Sequence, residues 1–229
     1  MQDDLADLLL PADARFASVE VDETEVSLLD PLLPGERPAA HSACAPKRER
    51  EFRAGRHVAR RVLQELGVKA GPLYRDADGA PVFPTGVAAS ITHTGTSRTF
   101  AAAAGSPRAR GLGLDAEQVR AFSEELLARV VNPDEKRQLA RSGEAQTLAV
   151  LAFSAKEAFY KCVFPTTRKR LGFHDVFFQL EELRQCSNRH SGAFALRSTV
   201  CQMQGGPPQL HGKFVLTPHK VLTAVVWPR

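Results

Sequence analysis

The sequence predicts an α+β fold in which long helices lie on antiparallel strands. Two stretches, residues 46–67 and 144–163, repeat apolar side chains at helical spacing. Residues 87–104 read as a hairpin. From Gly172 onward, apolar runs of strand length follow one another with turns between. A helix laid on such a meander is an α+β arrangement. At 229 residues the chain can bury a sizeable core, as one domain or as two intimate halves.

The net charge of +4 is mild, but the basic residues cluster. That favours anionic partners such as phosphates, nucleic acid or an acidic protein surface. No run of about 18 apolar residues exists, so no membrane span is expected. Residues 5–17 begin too acidic for a secretory signal. Cys44, Cys162, Cys186 and Cys201 are far apart, and the histidines are dispersed without HExxH spacing. Together these features point to reduced thiols in a cytoplasmic protein rather than to disulfides or zinc.

Taken in order, residues 3–10 suit a short helix and residues 16–22 alternate as a strand. Pro31, Pro34, Gly35 and Pro38 then make an irregular connection. In the next segment Phe52, Gly55, Ala59, Val62, Leu63 and Leu66 form a helical stripe, and Gly67 is a natural stop. Arg53, Arg56, His57 and Arg60 project from one side, with Arg50 and Arg61 at its edge. Singly, each reads as solvated. As a face they suit phosphate, because a guanidinium can give two parallel hydrogen bonds. Gly55 costs about 1 kcal/mol against Ala inside a helix, which points to close packing there.

Asp78-Gly79 is a turn signal, and 81–86 is rigid and irregular. The hairpin follows, with His93 near the end of its first strand among hydroxyls at Ser90, Thr92, Thr94 and Thr96. Residues 111–117 form the next strand. Its period of two puts Leu112, Leu114 and Ala116 on one face, and Gly113, Asp115 and Glu117 on the other. Two carboxylates about 7 Å apart at their backbones repel each other unless a cation lies between them. Mg²⁺ prefers such hard oxygen ligands and keeps room for water and phosphate.

Residues 123–130 read as a short helix. Asn132-Pro133-Asp134-Glu135 is a capping-box start for another, ending near Ser142-Gly143. The long helix over 144–163 carries Leu148, Leu151, Ala152, Ala155, Phe159, Cys162 and Val163 on one face. Glu157 and Lys161 lie opposite, with Lys156 on the flank. Alone, that Glu–Lys pair reads as a solvated i,i+4 contact worth about 0.3 kcal/mol. Residues 172–180, 193–200, 210–216 and 221–227 read as strands.

Four stretches occur in a telling order: Arg56 after Phe52; Pro81 to His93; Gly113, Asp115 and Glu117; and Phe153-Ser154-Ala155-Lys156-Glu157-Ala158-Phe159-Tyr160-Lys161. Together they resemble the Sfp/EntD-type 4′-phosphopantetheinyl transferases, in particular the EntD-like branch, over roughly residues 46–180. The resemblance implies two similar α/β halves about a pseudo-twofold axis, each an antiparallel sheet packed on a long helix. The first half would be 1–110 and bind the 3′-phosphate of coenzyme A; the second, 111–229, would carry the metal site and catalytic helix. It also implies an Mg²⁺ ion, or Mn²⁺, on Asp115, Glu117 and Glu157. Arg48, Arg56, Arg75, Thr92, His93 and Lys156 would hold coenzyme A, with Arg75 standing where relatives often have Lys.

The implied reaction moves phosphopantetheine onto a serine of an acyl or peptidyl carrier protein, in siderophore, polyketide or nonribosomal peptide biosynthesis, and releases adenosine 3′,5′-bisphosphate. Glu157, Lys161 and His93 are the expected catalytic residues, with Glu157 the base, directly or through water. A monomer without membrane or nucleic-acid partners is expected. Two other readings compete: a nucleic-acid module built on the basic helix, and a non-catalytic coenzyme A or nucleotide sensor that needs no Glu157.

Overall fold

The computed structural model describes residues 2–37, 45–141, 145–186 and 189–229. Helix α1 (Gln2–Leu9) leads into β1 (Arg15–Val21), and α2 (Ala45–Glu65) precedes the hairpin of β2 (Ala88–Gly95) and β3 (Thr99–Ser106). Then come β4 (Ala109–Gln118), α3 (Glu124–Val130), α4 (Pro133–Arg141) and α5 (Ala145–Thr167). The chain closes with β5 (Phe177–Gln185), β6 (His190–Arg197), α6 (Thr199–Met203), β7 (Gln209–Leu216) and β8 (Lys220–Pro228). The strands form two antiparallel sheets, ordered β1-β3-β2 and β4-β8-β7-β6-β5. The fold is α+β, with one long helix on each sheet and unequal sheets of three and five strands.

Alternation along the strands explains the layering. On β3, Ala101 and Ala103 pack under Ala54, Val58 and Val62 of α2, while Ala102 and Ala104 face the second sheet. On β4, Leu112, Leu114 and Ala116 join that inter-sheet cluster. The opposite face of β4 meets α5. A Cβ on Gly111 would lie 2.3 Å from the Cys162 carbonyl oxygen, and one on Gly113 would lie 1.8 Å from that of Ala158. Gly113 therefore lets the helix backbone rest on the strand, which carries Asp115 and Glu117 toward α5. Gly113→Ala forces the two apart, and a loss of about 1–3 kcal/mol is expected by chemical denaturation. Gly55 plays a similar part in α2, where a Cβ would meet Ile91 at 3.0 Å.

Each half contains the same buried knot. Arg60 of α2 pairs with Glu36 at 2.9 Å, and Glu36 also accepts the Leu33 and Leu73 amides. Lys156 of α5 pairs with Glu135 at 2.7 Å, and Glu135 accepts the Asn132 and Phe178 amides. In both, a carboxylate binds the amide three residues before it, an amide beyond the long helix, and a cation on that helix. This recurrence is local physical support for two related halves.

Several element bounds differ from the sequence reading. Helix α5 continues through Pro165 to Thr167, beyond Val163. It is buried well outside its apolar stripe: Ser154 meets Thr223 of β8 at 2.8 Å, and Lys156 is enclosed by Val130, Glu135 and Phe173. Ser198 ends β6 and caps α6 by accepting the Cys201 amide at 3.0 Å, so 198–200 is not strand. A turn closed by Gly172 donating to Asp175 precedes β5, which starts only at Phe177. Ser142, Gly143, Glu144 and Cys44 lie outside the described residues.

Candidate active site

β4 is an edge strand of the second sheet, and its open side is covered by β2 of the first. Side-chain hydroxyls make the seam. Ser90 Oγ accepts the Leu114 amide at 3.0 Å, and Thr92 Oγ1 accepts the Ala116 amide at 3.0 Å. Beside this seam runs a cleft between the halves. A cavity of about 460 Å³ is lined by Asp78, Gly79, Pro81, Ile91, Tyr160 and Lys161 among others. It shares Gly79, Pro81 and Ile91 with a smaller cavity of about 140 Å³ that reaches Arg48, Arg56, Arg75 and His93. One end of the cleft is thus rich in arginine, and the other reaches α5.

The arginine end is held by specific contacts. Arg56 is buried, stacks 4.1 Å over the Phe52 ring and gives Nε–H to the Leu73 carbonyl at 3.1 Å. Among the described residues its terminal nitrogens bond no protein acceptor. Burial, with Arg75, Arg60 and Arg48 adding repulsion against the opposing pull of Glu36, brings its pKa down to about 10. It remains charged at neutral pH and is short of an anion. Arg75 gives Nε–H to Gly79 at 2.8 Å, inside the turn where Gly79 takes φ +85°. That turn is tied to the second half by Arg168–Asp76 and by Arg170–Asp78 at 3.7 Å. Arg48 lies 3.2 Å from Glu51 and 3.1 Å from His93 Nε2. Burial depresses the His93 pKa; Glu51 and Asp115 oppose that, whereas Arg48 and Lys161 add to it.

The other centre is acidic. Asp115 is buried, and its Oδ1 accepts from Lys161 Nζ at 2.7 Å and from Thr92 Oγ1 at 3.3 Å. Its Oδ2 is buried and takes no hydrogen bond among the described residues. Glu117, two residues on, is pushed up to about 7 by burial and then by Asp115, with Glu157 adding and Lys161 and Arg120 opposing. Glu157 on α5 is raised by burial first and Asp115 second. The three carboxylates therefore feel one another across the α5–β4 contact. An orphaned buried oxygen beside two strained carboxyl groups fits a divalent cation. Among the described residues no three His, Cys, Asp or Glu side chains are grouped so that they alone could hold an ion. Mg²⁺ does not require that, since it keeps waters and substrate oxygens in its shell.

Two residues expected to hold coenzyme A have protein partners here. Lys156 is 2% exposed, and its ammonium is saturated by Glu135, the Val130 carbonyl at 2.8 Å and the Phe173 carbonyl at 3.0 Å. It points away from the arginine end because the residue next to it, Glu157, is the one that faces β4. Thr92 turns its only O–H toward Asp115, so its side chain has no donor left for phosphate. Three arginines of the basic helix α2 are already engaged. Arg50 bonds Thr99 and the Thr96 carbonyl, Arg53 the Leu29 and Asp30 carbonyls, and Arg60 Glu36. Arg61 on the same helix stays exposed.

Comparison with known proteins places the chain in a family. A family model described as 4'-phosphopantetheinyl transferase N-terminal domain matches residues 36–104, and one described as 4'-phosphopantetheinyl transferase superfamily matches 111–217. The chain is 35% identical over 185 residues to 4'-phosphopantetheinyl transferase Npt of Nocardia iowensis, covering 79% of this chain and 83% of that protein. The chain belongs to the 4'-phosphopantetheinyl transferase family. This transferase is also 33% identical over 198 residues to PptT of Mycobacterium tuberculosis, covering 85% of each. A shorter match, 37% over 118 residues, links it to Enterobactin synthase component D of Salmonella typhi, at 50% of this chain and 48% of that one.

Glu36, Glu51 and Glu135 were not singled out as site-forming residues by sequence reasoning. Asn132-Pro133-Asp134-Glu135 did announce a capping box, and the reciprocal bonds are present. Nothing in it announced that the same carboxylate also neutralises Lys156, a partner 21 positions away.

Proposed function

We propose that this transferase takes phosphopantetheine from coenzyme A and delivers it to a serine of an acyl or peptidyl carrier protein, with Mg²⁺ held by Asp115, Glu117 and Glu157. The observation that carries this reading is the orphaned Asp115 Oδ2, buried beside two destabilised carboxyl groups, with Oδ1 bonded to Lys161, a residue that lines the cleft continuous with the arginine-lined cavity. In the proposed division of labour the first half, 1–110, binds the nucleotide, and the second, 111–229, carries the chemistry. Arg56, Arg48 and Arg75 bind the 3′-phosphate, with His93 between them and the reacting centre. The metal, when bound, supplies neutralisation of the pyrophosphate.

Glu157 takes the proton of the attacking serine hydroxyl, whose oxygen forms a bond to the β-phosphorus. The bond from that phosphorus to the bridging oxygen breaks, and adenosine 3′,5′-bisphosphate leaves. A carboxylate within reach of the hydroxyl is the kind of group general-base catalysis uses. Lys161, already on Asp115, lies where charge grows on the phosphoryl oxygens. Acidic carriers in siderophore, polyketide or nonribosomal peptide synthesis are the proposed acceptors, and the positive balance of the chain favours their approach.

Calorimetric titration tests the nucleotide end. Arg56→Ala weakens coenzyme A by about 2 kcal/mol, the scale of a charge-assisted hydrogen bond. Affinity for 3′-dephospho-coenzyme A changes little. Equal losses for both ligands refute the placement of Arg56 at the 3′-phosphate.

A further inference from the structure

We propose that Thr92 is a positioning residue for the metal centre: its hydroxyl, reaching from the first half to Asp115 in the second, holds that carboxylate so that Oδ2 is the oxygen left to ligate. The inference rests on the metal reading above and adds a residue to it. Thr92 is 2% exposed and sits on β2, across the seam from β4. Its oxygen accepts the Ala116 amide, which fixes the hydroxyl and directs its single proton to Asp115 Oδ1 at 3.3 Å. Lys161 donates to the same oxygen at 2.7 Å. Both available donors therefore gather on Oδ1, and Oδ2 is left without one. β-Branching restricts the Thr92 rotamer, so the hydroxyl does not swing away.

The seam supplies its own control. Ser90 lies two residues earlier on the same face and makes the equivalent bonds to the Leu114 amide at 3.0 Å and carbonyl at 3.5 Å. Its hydroxyl bonds only that backbone, with no carboxylate partner among the described residues. Losing it removes a seam bond to Leu114, whose carbonyl also accepts Lys161 Nζ at 3.3 Å, while Asp115 Oδ1 keeps both its donors.

The test is Mn²⁺ binding to the intact chain, read from the electron paramagnetic resonance signal of the free ion, with coenzyme A and carrier omitted. Thr92→Val weakens Mn²⁺ by about tenfold, the scale of lost outer-shell support. Thr92→Ser keeps the hydroxyl and restores most of that affinity. Ser90→Ala lowers the thermal midpoint while Mn²⁺ binds as in the parent. Thr92→Cys, with a poor donor in place of the hydroxyl, carries the same expectation should valine not fold there. Parental Mn²⁺ affinity in the folded Thr92 variants overturns the proposal, as does an equal loss in Ser90→Ala. Asp115→Asn separates the two levels. If it also binds Mn²⁺ like the parent, the metal reading itself fails; if it alone loses the ion, only the role of Thr92 does.

Discussion

Glu157→Gln lowers transfer to carrier by about 10³-fold, within the range that a positioned base contributes. The amide has the shape of the carboxylate but can neither take the serine proton nor offer an anionic oxygen. Its fold survives, because Glu157 is a liability to the folded chain. Burial and Asp115 both disfavour its charge. Removing that charge leaves Asp115 and Glu117 with less repulsion, so the thermal midpoint stays level or rises. A joint measurement of single-turnover rate and thermal unfolding checks both halves of this expectation. A variant that transfers at the parental rate takes Glu157 out of the mechanism.

Lys156→Met, one position away, has the opposite signature. It strands Glu135, 1% exposed and still holding the Asn132 and Phe178 amides, without its cation. The expected cost is about 3–5 kcal/mol, since breaking one partner of a buried pair leaves an uncompensated charge. The double change Lys156→Met with Glu135→Gln recovers part of this, which denaturant titration of the four-protein cycle reads directly. A chain whose stability is unmoved but whose coenzyme A affinity collapses would put Lys156 back on the ligand. Two adjacent residues of one helix thus divide between chemistry and architecture.

That division marks where the sequence stops being legible. Period-two alternation suffices to place Asp115 and Glu117 on one face of β4, and Gly113 on that face explains why α5 can come close enough to bring Glu157 to them. The 3.6-residue period likewise places Phe159 and Cys162 in the core. What local periodicity does not contain is the partner across the fold. The α2 arginines look alike on a helical wheel. Arg60 meets a buried glutamate because Glu36 arrives from before the helix, whereas Arg56 lines a cavity with its Nε–H on the carbonyl of Leu73 from after it. Lys156 has flank geometry on α5 and becomes buried because α4 and the 171–176 segment close over it. The hydroxyl of Thr92 is set by a strand in the other half.

In the proposed reaction the acidic centre and the arginine end act together. Mass spectrometry of an apo carrier protein incubated with this chain, coenzyme A and Mg²⁺ tests it most directly. The carrier gains one phosphopantetheinyl group; the gain requires the metal and vanishes over the same time with Glu157→Gln. A carrier left unmodified while coenzyme A binds tightly, as a sensor would have it, or modified equally well without the metal, contradicts the account.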